Sequence, residues 1–153
     1  MNIFVLDYDP KQAARFHCDK HVVKMILESA QIMSACHELC GGDPWYRLTH
    51  KNHPCTVWAR ESTANYQWLL ELFNELCKVY TEVYGRQHKC STIEQIQTVP
   101  PGIPDGELTS FAQAMPDEFI DRDPVTAYRR YYRIDKAHIL KYKSRPLPAF
   151  LRP

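Results

Sequence analysis

Between the Asp9-Pro10 pair and the Gly41-Gly42 pair, roughly 30 residues run without a glycine or a proline, which strongly restricts what the chain can fold into. Asp9 is a favoured N-cap, Pro10 suits the first helical position, and Gly41-Gly42 offers a left-handed stop. This spacing predicts one helix from Pro10 to Leu39 or Cys40, about 45 Å long at the standard rise. His17, His21, Lys24, Glu28 and Gln31 follow the i, i+4, i+7, i+11 pattern of a single helical face. Val22, Val23, Ile26, Leu27, Ala30 and Met33 fall at other angles, so the helix has apolar surface on more than one side and is expected to be central. A row of His, Lys and Glu on a central helix predicts a cleft in which protons move near neutral pH. The alternative is a solvated face carrying i, i+4 charge pairs.

Further along, Pro54 suits the start of a second helix reaching Tyr84, with Leu69, Phe73, Leu76, Tyr80 and Val83 at helical spacing and Gly85 as its stop. Ser91-Thr92-Ile93-Glu94 fits a capping box for a short third helix that ends before Pro100-Pro101. Asp123-Pro124 opens a last helix running to about Lys143. Residues 3 to 6 form a short apolar arm. The expectation is therefore an all-α fold of three to four helices with antiparallel packing and a short extended N-terminal arm, in a single domain over residues 1–153.

Composition narrows the class. No apolar run approaches the length needed to cross a bilayer, and residues 1 to 7 have no basic segment before their short apolar run, so neither a membrane span nor a secretory signal is expected. The expected compartment is cytoplasm, a host's if the chain is phage-encoded, where six cysteines stay reduced. A net charge of +1 conceals an asymmetry, because residues 121–153 hold nine Lys/Arg against three Asp, about +6, and the rest carries about −5. The basic end invites a polyanion.

Three regions carry candidate chemistry. His17, His21, Lys24 and Glu28 form the proton-transfer stripe. His50, Lys51, Asn52 and His53 crowd a helix N-terminus whose free N–H groups and dipole favour a phosphate, with Trp58 and Arg60 facing the same space; a capping role for Asn52 and His53 is the competing reading. In the tail, Arg129, Arg130, Tyr131, Tyr132, Arg133, Lys136, Lys141, Lys143 and Arg145 mix cations that bind phosphates with rings that stack on bases. The tyrosines could equally be half-buried helix residues. Cys36, His37, Cys40, His50, His53 and Cys55 lack the regular spacing of a structural zinc site, and no glycine-rich phosphate loop is present, so no metal and no cofactor are expected.

The order of these features resembles the pyrimidine-dimer DNA glycosylases of the endonuclease V type, a phage and bacterial family. The shared features are the extended N-terminus, the His17-to-Glu28 helix, the Asn52-His53-Pro54 turn followed by Trp58, the long helix ending Tyr84-Gly85-Arg86-Gln87-His88-Lys89, and the basic aromatic segment Tyr128 to Tyr132. The runs CDKHVVKMILE and HKNHP are also similar to those of small proteins common in tailed-phage genomes. The resemblance implies an amine that attacks the sugar C1′ of a damaged nucleotide, a helix-borne glutamate that assists, and a Schiff base that permits strand cleavage. Glu28 is the matching carboxylate. In the family the amine is the α-amine exposed by Met removal, whereas Asn2 disfavours that removal, so either the Met1 amine serves or Lys24 does. Lys24, one turn from His21 and Glu28, is the preferred substitute. The expected function is a DNA N-glycosylase with AP-lyase activity on a damaged or modified pyrimidine in double-stranded DNA. A noncatalytic nucleic-acid or host-protein binding module and an enzyme acting on free nucleotides are the alternatives.

Overall fold

A computed structural model describes residues 1–153 and contains no strand. Five α-helices, α1 (Pro10–Phe16), α2 (Asp19–Leu39), α3 (Pro54–Ala59), α4 (Thr63–Tyr84) and α5 (Pro124–Asp135), are joined by loops carrying five short 3-10 turns. The all-α class is as expected, with more helices than expected because both long ones are broken. The starts follow the sequence: Asp9 accepts from the Lys11 N–H, His53 from Cys55 and Asp123 from Thr126, each followed by proline at the first position. Gly85 closes α4 at φ +69°, a left-handed conformation that costs glycine little.

The predicted first helix stops at Phe16. His17 and Cys18 are extended, and α2 begins anew at Asp19. The break is stabilised from far along the chain: the Cys18 N–H donates to the Tyr132 hydroxyl, and the Asp19 N–H donates to the Lys141 carbonyl. Such partners satisfy donors that a continuous helix would have bonded internally. The second predicted helix is interrupted at Arg60-Glu61, where Ser62 caps α4 by accepting from the Asn65 N–H. The Ser91–Glu94 region forms 3-10 turns, and α5 ends at Asp135, eight residues before the expected end at Lys143.

One cluster of 32 buried residues runs from Ile3 to Tyr132, with α1 and α2 both packed on α4. Trp58, expected to face a phosphate, is instead 2% exposed, with its ring centroid 5.1 Å from Phe111 and 6.1 Å from Trp68. The N-terminal arm is the least expected core element. Ile3, Val5 and Leu6 are fully buried, and the Phe4 ring sits among His21 (4.6 Å), Tyr132 (5.5 Å), Tyr128 and Tyr131 (both 6.0 Å). His17 packs against the same ring from behind and donates from Nδ1 to the Ala13 carbonyl. Burial pushes the His17 pKa down to about 4 and that of His21 to about 3, so both rings are neutral.

Arg145 also departs from expectation. Its guanidinium is 1% exposed and bonds the Asp19 carboxylate at 2.9 Å and the Arg15 carbonyl at 2.8 Å, so it is an internal tie rather than a surface cation. Asp19 accepts the Lys143 N–H as well. Arg145→Ala leaves that carboxylate buried without its charge partner, and urea denaturation is expected to register a loss of about 3–5 kcal/mol.

The histidines generate a pH dependence. Below pH 6.5 the unfolded chain protonates His17 and His21 while the folded chain does not, so stability falls as pH drops from about 6.5 towards about 4. Each contributes a slope of up to about 1.4 kcal/mol per pH unit. Denaturation curves at pH 7 and pH 5 are expected to converge in His21→Gln relative to the parent protein.

Candidate active site

The arm reaches the stripe of α2 because Asn2 holds it there. The buried Asn2 side chain donates from Nδ2 to the Ala114 carbonyl (2.7 Å) and accepts the Ile3 N–H at Oδ1 (2.8 Å). Two residues on, Phe4 adopts φ +41°, a left-handed conformation costing a non-glycine residue about 1–2 kcal/mol, and its carbonyl accepts the Leu6 N–H. The turn brings the α-amine of Met1 to 3.3 Å from Oε1 of Glu28, both groups largely buried. Backbone strain of this kind persists where surrounding contacts over-determine the conformation.

Around the pair lies a cleft of about 420 Å³ whose lining includes Met1, His21, Lys24, Glu28, His53 and Tyr131. Lys24 Nζ stands 3.8 Å from Oε2 of Glu28, beyond hydrogen-bond reach, and its side chain is 64% exposed. Oε2 and Nδ1 of His21 are buried without a hydrogen-bond partner. Unpaired polar atoms in a buried wall are costly unless a ligand or water meets them. His53 caps α3 by accepting the Cys55 N–H at Nδ1, so in the neutral ring the proton sits on Nε2. Burial, then the nearby Met1 ammonium, lowers its pKa.

Lys136 and Tyr131 close the opposite side. The Lys136 ammonium lies 3.1 Å from Asp135 and 5.0 Å from the centre of the Tyr131 ring. Burial works against its charge, but its contacts with Asp135 and Tyr131 outweigh burial and raise its pKa, so this lysine is an ammonium rather than a free amine. The cleft thus offers one carboxylate, a buried α-amine, two lysines, two imidazoles and an aromatic wall. That set can bind a phosphate-bearing, ring-containing substrate and exchange protons with it.

Of the stripe, His21, Lys24 and Glu28 converge on the cleft, while His17 lies behind it because the helix breaks beside it. Of the second region only His53 reaches the cleft. His50, Lys51 and Asn52 are exposed on the loop, His50 at φ +52°, and Arg60 turns back to donate to the Lys51 carbonyl. In the tail, Tyr132 is fully buried with its hydroxyl on Cys18. Arg129 pairs with Asp7 and Arg130 with Asp121, whereas Arg133, Lys141 and Lys143 are exposed. The Cys/His set does not assemble, as no group of three or more His, Cys, Asp or Glu side chains is placed to hold a metal ion. Cys36 and Cys55 are buried, which pushes both thiols up to about 12. Sequence reasoning missed Asn2 and Phe4 of the cleft wall, for which a polar residue directly after Met1, ahead of an apolar run, was the signal available; Gln113 and Met115 come from the long proline- and glycine-containing loop, whose length is that of a binding loop or a surface crossing.

No curated protein and no solved structure matches the chain. The model of the pyrimidine dimer DNA glycosylase family matches residues 1–94, which hold the arm, the α2 stripe and His53, and the chain belongs to that family of DNA-processing glycosylases.

Proposed function

We propose that this protein is a DNA N-glycosylase with AP-lyase activity on a damaged or modified pyrimidine, and that its nucleophile is the α-amine of Met1. The observation that carries this reading is the Met1 amine 3.3 Å from the Glu28 carboxylate at the cleft wall. Lys24, the favoured nucleophile on sequence grounds, has a largely exposed side chain and stands farther from the same carboxylate. An exposed ammonium is strongly hydrated, whereas a buried amine beside a carboxylate has a local acceptor for its proton.

In this reading Glu28 takes a proton from the Met1 ammonium, and the freed lone pair attacks C1′ of the target nucleotide. The N-glycosidic bond breaks, its electron pair leaves with the base, and the base takes up a proton. The attached Met1 nitrogen loses the proton that the base takes up, and Glu28 returns its own proton to O4′ as the sugar opens, which gives an iminium between Met1 and C1′ and restores the Glu28 carboxylate. Removal of a C2′ proton then expels the 3′ phosphate, with Glu28 as the base within reach. Lys24 and Lys136 hold phosphates, Tyr131 presents a ring to the substrate, and His53 Nε2–H is a donor towards it.

Borohydride trapping on duplexes containing abasic sites, pyrimidine dimers and modified pyrimidines tests the assignment. Lys24→Ala is expected to retain the covalent adduct, and one extra residue ahead of Met1 is expected to abolish it. The reverse pattern makes Lys24 the nucleophile. Glu28→Gln is expected to slow adduct formation about 10²–10⁴-fold.

A further inference from the structure

Beside the cleft runs a second, larger groove of about 620 Å³, bounded by Lys20, Lys24, Lys141 and Lys143 over a floor of Val23 and Tyr84. Lys24 lines both spaces, so the groove lies next to the active-site cleft. Lys20, Val23 and Lys24 are related by i, i+3, i+4 spacing on α2. The opposite wall is the segment after α5, fixed to the start of α2 by the Asp19 N–H on the Lys141 carbonyl and the Lys143 N–H on the Asp19 carboxylate, each 2.9 Å. Tyr84 ends α4 and donates its hydroxyl to the Asp19 carbonyl (3.1 Å), which sets its ring as part of the floor.

Of the four lysines only Lys24 faces a carboxylate, Glu28 at 3.8 Å. Asp19 is the one carboxylate of the lining and is engaged by Arg145. Lys20, Lys141 and Lys143 have no carboxylate within 4 Å, in contrast to Arg129, Arg130, Lys136 and Arg145, all of which are paired inside the protein. The floor is unusual for a phosphate track, because Val23 is 38% and Tyr84 41% exposed. A continuous duplex presents its backbone to a protein and keeps its bases stacked inside, which leaves such a floor without a partner. An unpaired strand carries phosphates for the lysines and bare base faces for Val23 and Tyr84.

We propose that this groove binds an unpaired stretch of DNA strand leading to the cleft, so that the protein favours targets beside single-stranded DNA over targets within continuous duplex. The proposal rests on the DNA-glycosylase reading only for the identity of the polymer. It adds Lys20 and Tyr84, which neither the stripe nor the basic tail had singled out.

Fluorescence anisotropy on lesion-free DNA separates the two ideas, since no chemistry is required. A duplex with a six-nucleotide single-stranded overhang is expected to bind about tenfold more tightly than the blunt duplex of the same sequence, in line with the worth of one or two stacked bases. Tyr84→Ala is expected to remove that preference and Tyr84→Phe to keep it. Val23→Glu, on the exposed floor, is a second variant with no hydrogen bond to lose and is expected to weaken overhang binding alone. Lys20→Ala, Lys141→Ala and Lys143→Ala combined are expected to reduce the log–log salt slope for a single strand by about 2, at about 0.7 per phosphate contact. Equal affinity for blunt and overhanging duplex, or a preference unchanged in both Tyr84→Ala and Val23→Glu, overturns the proposal. Failure to trap an adduct, with the overhang preference intact, overturns the amine-nucleophile and AP-lyase assignment and leaves the groove standing.

Discussion

Burial of the N-terminal arm is the constraint on which the rest of the structure depends. A terminus normally frays, because it gains too few contacts to offset the entropy of ordering it. Here Ile3, Val5 and Leu6 are fully buried and Phe4 nearly so, and each large apolar side chain removed from water contributes about 1.5–3 kcal/mol. That gain stabilises a left-handed Phe4 and brings a charged amine into the protein. The amine has one carboxylate nearby, and it is Glu28. A buried charge without a counter-charge is strongly disfavoured, so the arm, α2 and the cleft form one arrangement.

The same logic explains the broken first helix. A straight helix through His17 and Cys18 would have carried the α1 residues along the axis of α2. With the break, α1 and α2 both pack on α4, and the interrupted hydrogen bonds are replaced by Tyr132 and Lys141. Asp19, at the first position of α2, also sits where a carboxylate favours the positive end of the helix dipole. Arg145 and the Lys143 N–H bond to it there, and the C-terminal segment is thereby tied to the helix that carries Glu28.

Charge in the C-terminal segment therefore has two separate destinies. Arg129, Arg130 and Arg145 tie the segment to the fold by pairing with Asp7, Asp121 and Asp19, while Lys136 pairs with the adjacent Asp135 and lines the cleft. Lys141 and Lys143 stay exposed and join Lys20 and Lys24 from α2. Only part of the surplus of about +6 counted along the sequence joins the row of cations beside the cleft. The composition thus overstated how much of the tail is available to a polyanion and missed that α2 supplies half of the row.

Local physical chemistry was legible in the sequence. Caps at Asp9, His53 and Asp123, the prolines that follow them, the stop at Gly85 and the periodicity of α2 and α4 depend on residues within a few positions of one another. They predicted the all-α class and put His21, Lys24 and Glu28 on one face. What needed the tertiary structure was every choice settled by a distant partner. The helix break at His17-Cys18 depends on Tyr132 and Lys141, the burial of Trp58 on Phe111, and the removal of Arg145 from the surface on Asp19. The placement of the Met1 amine depends on Asn2 reaching Ala114, more than a hundred residues away. Periodicity reports which side of a helix is apolar, and it carries no information about what the other side of the cleft will be; only packing of the whole chain brings the terminus and Glu28 together.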